Sequence, residues 1–200
     1  RQRQMGIRDR RWGALERIAG RHPELQGARI PNRSEHVQNV RPEDLPRLAP
    51  LGVVASVQPI HLVDDMVMVE QTVGDRDRFT YAFRDLWEAG LPLAMGSDCP
   101  VANPNPWWGI QAAVTRQRRD GTPEGGWYPA QRLTLAQAVW GFTMGPAVVT
   151  GRQADLGSIS PGKLADLVIL DRDPFALDAR EIAGVQVDMT ILNGEVVYRA

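Results

Sequence analysis

One cysteine, three histidines and a net charge of −1 in 200 residues put several classes of protein out of reach. A single cysteine cannot build an internal disulfide framework and suits a reducing compartment, so a cytoplasmic location is expected. The near-neutral balance lacks the basic excess that a nucleic-acid or anionic-membrane surface needs, so neither partner is expected. The stretch from Arg1 to Arg11 is a local basic run and reads as solvated surface. No run approaches the roughly 20 apolar residues of a transmembrane helix, and no signal peptide is visible. The chain opens at Arg1 in mid-pattern, as though an amino-terminal part were missing. There is no internal repeat and no low-complexity tract. What remains, 43% hydrophobic and 24% charged residues, is the composition of a soluble globular protein with a substantial core and one or two domains.

Periodicity and punctuation predict the elements. Asp9 can cap a helix running to about Ala19, with Trp12, Leu15, Ile18 and Ala19 on one face and Gly20 as its stop. Arg29 to Val37 reads as a strand, weakened by Pro31 and Asn32. Pro42 opens a short helix carrying Leu45 and Leu48, and Gly52 ends it. Val53 to Val57 is a buried strand stopped by Pro59, and Leu62 to Val73, without clear period, reads as a loop. Asp75 opens a helix closed by Gly90, Leu91 to Met95 is the next strand, and a proline-rich loop leads to a helix near Trp108 to Arg118. Asp120 to Arg132 reads as a loop, and Thr134 with Gln137 makes a capping box for a helix from Leu135 to Phe142. Beyond Gly151 the pattern turns to short strands. Asn193-Gly194 between Thr190-Ile191-Leu192 and Glu195 to Tyr198 signals a type I′ hairpin. A domain boundary is therefore expected near residue 150.

Three stretches carry chemistry: Arg33 to Gln38, Ser56 to His61, and Met95 to Val101. Each sets a metal-ligating side chain at or just past a strand-like run. Imidazole and carboxylate are the usual protein ligands of a catalytic zinc, which keeps one position open for water. At the carboxyl ends of parallel barrel strands such residues face the active-site mouth. His36, His61 and Asp98 are the candidate ligands. By type alone a lone histidine such as His36 is more often a hydrogen-bonded structural residue, and Asp98 after Gly-Ser can simply cap the turn that follows. Glu35 falls on the opposite face by strand alternation. His22 reads as a solvated loop residue, and Cys99 as inert packing. Trp107 and Trp108 line a pocket or pack at a helix start, and Gln58 supports the site or satisfies a strand end.

The chain resembles the carboxyl-terminal part of metal-dependent amidohydrolases of the amidohydrolase family 3 group. The likeness rests on Glu35-His36-Val37-Gln38, Gln58-Pro59-Ile60-His61, Gly96-Ser97-Asp98-Cys99-Pro100-Val101 and, most specifically, Gly157 to Asp171. The resemblance implies an α/β fold: the carboxyl-terminal half of a (β/α)8 TIM-type barrel over residues 1–150, then a small β-sandwich-like domain over 151–200. It implies one or two divalent metal ions, zinc foremost, held by His36, His61 and Asp98. Asp98 would also take a proton from the attacking water, and His61 would hold metal or bond substrate. The family's first-strand His-x-His pair and its strand 4 group are absent and belong upstream of Arg1. One family strand between His61 and Asp98 has no clear counterpart, and a degenerate version is expected near Arg78 to Tyr81.

The implied activity is hydrolysis of a non-peptide carbon–nitrogen bond in an amide, N-acyl or N-formyl compound by a metal-activated water. The expected partner is such a small molecule, with homo-oligomerisation left open. Two alternatives stand beside it: a non-catalytic truncated fragment or interaction protein, and a heterocycle deaminase using the same site. Half a barrel also leaves open sheet edges, so the chain alone is expected to aggregate.

Overall fold

In the computed structural model the described residues are 2–23 and 30–200, with the backbone alone described for 2–11 and 75–77. Helix α1, Gln2–Arg21, is followed by strand β1, Arg33–Glu35. A short helix α2, Leu45–Leu48, leads to β2, Val54–Val57, and then to α3, Pro59–Val73. Helix α4, Phe83–Glu88, precedes β3, Leu93–Met95, and α5, Pro106–Thr115, and α6, Leu135–Val149, complete this region. Strands β4, Leu167–Leu170, β5, Val187–Leu192, and β6, Glu195–Arg199, come last. The fold is mixed α/β.

Strands β1, β2 and β3 form a parallel sheet in that order, with Ser34 beside Ala55 and Ser56 beside Ala94. Parallel strands need covering on both faces, and β2 and β3 are accordingly mostly apolar and buried, whereas β1 at the sheet edge carries exposed Arg33 and Glu35 around buried Ser34. Val54, Val57 and Leu93 are among the largest fully buried side chains, and removing each from water stabilises the fold by about 1.5–3 kcal/mol. The second sheet, β4-β5-β6, is antiparallel. Asn193 and Gly194 at its tip have φ of 50° and 83°, the pair of positive values a type I′ turn demands. The segment before β5 is tied to the first region. Ile182 and Val185 join the main core, and the Ala183 N–H donates to Gln111 Oε1 of α5 at 2.9 Å.

Several expectations are corrected. Helix α1 is already formed at Gln2, so Asp9 lies inside it rather than capping it. Strand β1 begins at Arg33, and Arg29 lies outside the described residues. The segment Leu62 to Val73 is helix, not loop. Its buried positions Pro59, Leu62, Val63, Met66 and Val69 keep helical spacing. Exposed Val67 and Met68 blur that period in the sequence, and Pro59, which cannot continue a strand, suits the first helical turn. The helix expected from Asp75 is a 3₁₀ segment, Gly74–Phe79, followed by α4.

No degenerate strand is inserted between β2 and β3, because those two are hydrogen-bonded neighbours. Residues 78–81 instead clamp the chain beyond β1. Thr80 bridges Asn39 in antiparallel fashion, and the Tyr81 N–H donates to the Gln38 carbonyl at 2.7 Å. The capping box is present, with Thr134 accepting from the Gln137 N–H and Gln137 accepting from the Thr134 N–H.

Candidate metal centre

The site lies where β1, β2 and β3 end. Because the strands are parallel, the residues after Glu35, Val57 and Met95 all emerge on one side of the sheet. The chain turns sharply there. His36 and Val37 take φ of 66° and 42°, and Asp98 takes 57°. Asp and His tolerate this left-handed region better than most residues, whereas a β-branched valine there is a strained outlier. Burial of Val37 in the core holds it in place, and strain of this kind gathers at functional sites.

His61 reaches the same place from the first turn of α3 and is only 9% exposed. His36, His61 and Asp98 each offer one ligand atom, and these atoms all lie within 4.8 Å of one another. That is the scale set by two metal–ligand bonds of about 2.0–2.2 Å each. The two imidazole rings stack at 6.2 Å between centroids, with 22° between planes.

The donor set fits a divalent cation. His36 Nδ1 lies 2.9 Å from Gln58 Oε1. An amide oxygen only accepts, so Nδ1 carries the proton and Nε2 keeps its lone pair for a ligand. Ring support of this kind orients metal-binding histidines and raises their basicity. His61 Nε2 is buried with no hydrogen-bond partner among the described residues. A buried polar atom left unpaired costs about 1–3 kcal/mol, a cost that a cation at this nitrogen removes. A pocket of about 470 Å³ opens over the three residues, lined also by Gln38, Asp64, Asp65 and Val101. Its charged walls are carboxylates, which favour a cation.

Asp64, Asp65 and Tyr81 carry no site role in the sequence reading, and Gln38 enters it only within the Glu35-His36-Val37-Gln38 signature. Asp64 and Asp65 follow His61 by three and four residues, so a helix beginning at Pro59 would have set them on the face of His61. Gln38 Nε2 donates to the Tyr81 hydroxyl at 2.8 Å, and that hydroxyl donates to Asp65 Oδ2 at 2.5 Å. Burial, with the Asp65 carboxylate next, pushes the Tyr81 phenol far above its ordinary range and keeps its proton on.

Other expected residues fall elsewhere. Glu35 faces away, exposed and paired with Arg33 at 2.5 Å. His22 and Cys99 are exposed, so Cys99 does not pack inside. Trp107 is buried at the start of α5, Trp108 lies 4.3 Å below the Arg119 guanidinium, and neither lines the pocket. Among the described residues no helix is long and apolar enough to cross a membrane.

The protein is similar to known proteins over most of its length. It is 35% identical over 168 residues to the protein LONG AFTER FAR-RED 3 of Arabidopsis thaliana, covering 83% of this chain and 28% of that one. It is 32% identical over 118 residues to N-substituted formamide deformylase of Arthrobacter pascens, covering 59% of this chain and 21% of that one. Among solved structures, an uncharacterized metal-dependent hydrolase from Pyrococcus horikoshii superposes with a TM-score of 0.67 at 31% identity, covering 83% of this chain and 32% of that one. The chain thus spans about a third or less of the length of these proteins. The family model described as Amidohydrolase family matches residues 6–198, and with these likenesses it establishes that the chain belongs to the amidohydrolase family.

Proposed function

We propose that this chain is the carboxyl-terminal part of a metal-dependent hydrolase that cleaves a non-peptide carbon–nitrogen bond, an N-formyl or N-acyl amide foremost. In this reading residues 1–150 belong to a (β/α)8 barrel, 151–200 belong to a small β domain, and His36, His61 and Asp98 are ligands of zinc or a similar ion. The observation that supports it most is the meeting of two imidazoles and a carboxylate at the ends of three adjacent parallel strands, with His61 Nε2 buried and unpaired. The relative named for formamide deformylation favours the N-formyl class.

A divalent ion bound there supplies two things: it acidifies water and polarises a carbonyl. The chain supplies the rest. Gln58 holds the His36 ring so that Nε2 faces the site. Asp98 is exposed at the pocket edge, where its carboxylate can accept the proton shed by the attacking water and hand it to the leaving nitrogen. His61, with no partner at Nε2 among the described residues, either binds the ion or, when protonated there, donates to the carbonyl oxygen as charge develops.

The test is turnover of N-formyl and N-acyl amides, with bound metal measured, in the full-length protein that carries this sequence. Asp98→Asn should keep the fold and lose about 10²–10⁴ in rate. His36→Ala should act through metal loss and recover in part with added zinc. His22→Ala, exposed and outside the pocket, should match the unaltered protein. Near-normal turnover by Asp98→Asn with metal bound would remove the proton-relay role and return Asp98 to a turn cap.

A further inference from the structure

The hydrogen bonds behind the pocket wall run in one direction. Asp65 Oδ2, as a carboxylate oxygen, only accepts. The Tyr81 hydroxyl has one proton and gives it to Asp65 at 2.5 Å, so toward Gln38 it can only accept. The side chain of Gln38 must therefore turn its nitrogen inward, and Nε2 donates to Tyr81 at 2.8 Å and, more weakly, to Asp65 at 3.4 Å. Both amide protons are thereby engaged. Gln38 Oε1 is left with no partner among the described residues, on a side chain that lines the pocket beside His36, His61 and Asp98.

The arrangement is rigid because Tyr81 is fixed from several sides. Tyr81 is 2% exposed, and its N–H donates to the Gln38 backbone carbonyl at 2.7 Å. Its φ is 54°, a left-handed conformation that a bulky side chain adopts only when surroundings enforce it. Arg116, fully buried, donates from Nη1 to the Tyr81 carbonyl at 2.8 Å and from Nε to the Trp127 carbonyl at 2.5 Å. A free glutamine can present either end of its amide to a ligand. This one cannot turn over without breaking the bond to Tyr81 and setting its oxygen against the Asp65 carboxylate.

We propose that Gln38 is a specificity-determining residue whose side-chain carbonyl accepts a hydrogen bond from an N–H of the substrate. The proposal rests on the amide-hydrolase reading above and adds the class of amide: secondary amides, which carry that N–H, are favoured over tertiary amides, which do not. A site with a fixed acceptor on its wall discriminates against the analogue lacking the donor, since binding that analogue takes the acceptor out of water and leaves it unpaired.

The experiment compares a secondary N-alkylformamide with its N-methyl tertiary counterpart in the metal-loaded full-length protein. It reads kcat and KM for both, and dissociation constants by calorimetry. The unaltered protein should favour the secondary amide by at least about tenfold in kcat/KM and in affinity. Gln38→Leu should bring both ratios to within about twofold of one, because the secondary amide loses more than the tertiary; a merely structural role would lower both substrates alike. Tyr81→Phe, which frees the amide to turn, should cut the preference at least threefold or so by the same reasoning, and decides the matter if Gln38→Leu does not fold.

An undiminished preference in these variants, or no preference in the unaltered protein, overturns the role of Gln38 while leaving amide hydrolysis intact. Preferential binding without turnover, abolished by Gln38→Leu, upholds Gln38 and overturns the hydrolase reading. Failure to bind or cleave either amide overturns both.

Discussion

The contact between α6 and β3 is close enough to make one methyl group decisive. Gly141 and Gly145 sit one turn apart on α6, facing β3. A Cβ on Gly145 would lie 2.2 Å from the Leu93 carbonyl oxygen, 2.8 Å from Ala94 Cα and 3.0 Å from the Leu93 carbonyl carbon. All three are strand backbone, so no rotamer change relieves them, and an ordinary contact requires helix and strand to separate by about 1 Å. The three atoms nearest a Cβ on Gly141 all belong to the Met95 side chain, with Sδ at 2.6 Å, and methionine has three rotatable bonds with which to yield.

Replacing glycine by alanine inside a helix returns about 1 kcal/mol of propensity in both cases. Overpacking costs about 1–3 kcal/mol, with the upper end expected against fixed backbone. Gly141→Ala should therefore be within about 1 kcal/mol of neutral, and Gly145→Ala destabilising by about 1–2 kcal/mol net.

Strand β3 also leads within three residues to Asp98, so a displacement of about 1 Å should cost on the order of 10²-fold in turnover beyond any loss of folded protein. The assay is thermal melting of both variants of the full-length protein beside kcat/KM per folded molecule. Each kcal/mol moves Tm by about 2–4 °C in a unit of 150–250 residues and by less in a larger one, so Gly145→Ala should melt below Gly141→Ala by a degree or so at least. Equal melting, or greater stability of Gly145→Ala, would refute the claim that this helix rides directly on the strand backbone.

Two further outcomes follow from the hydrogen bonds. Gln58→Leu should weaken metal binding about 10–100-fold in chelator competition, because the His36 ring loses the Nδ1 support that Gln58 gives it, while Gln58→Glu keeps an acceptor and should retain most of the affinity. Arg116→Lys should lower stability by about 1–3 kcal/mol in chemical unfolding, because an ammonium cannot reach the Trp127 and Tyr81 carbonyls as a fork while stacking on Phe83 and Trp127.

The parts of the fold legible in the sequence are those decided by local chemistry. Thr134 and Gln137 declare a helix start because both halves of the capping box lie within four residues. Asn193-Gly194 declares a hairpin because few other pairs accept two positive φ values. Val54 to Val57 and Leu93 to Met95 are legible because strands buried on both faces need unbroken apolar runs. The convergence of His36, His61 and Asp98 is legible because each follows a strand-like run, and parallel neighbouring strands end on one side of the sheet. Helix α3 is obscured by apolar residues on its outer face, and Gln38, Asp65 and Tyr81 by distance: Tyr81 lies 43 residues from Gln38 and 16 from Asp65. No local pattern marks a tyrosine in a left-handed turn as the residue that orients a glutamine so far away.

The pairing of β2 with β3 also changes how the site is assembled. With a strand between them, His61 and Asp98 would approach across a gap of about 10 Å between alternate strands, and only long side chains or a large shift of the loops could bring them together. As direct neighbours about 4.8 Å apart, the two strands deliver His61 and Asp98 side by side, and β1 delivers His36 from the next position. The irregular chain at residues 78–81 is then released from any strand role. It serves instead as the outer brace of the residues following β1, with Thr80 on Asn39 and Tyr81 on Gln38. The segment expected as a degenerate strand thus instead sets the hydrogen-bonding polarity of the pocket wall. A change at Tyr81 should consequently be felt in substrate choice more than in metal content, whereas a change at Gln58 should be felt in metal content first. Measuring both quantities in both variants separates the two supports, and metal loss in Tyr81→Phe as large as in Gln58→Leu would show that they are one network rather than two.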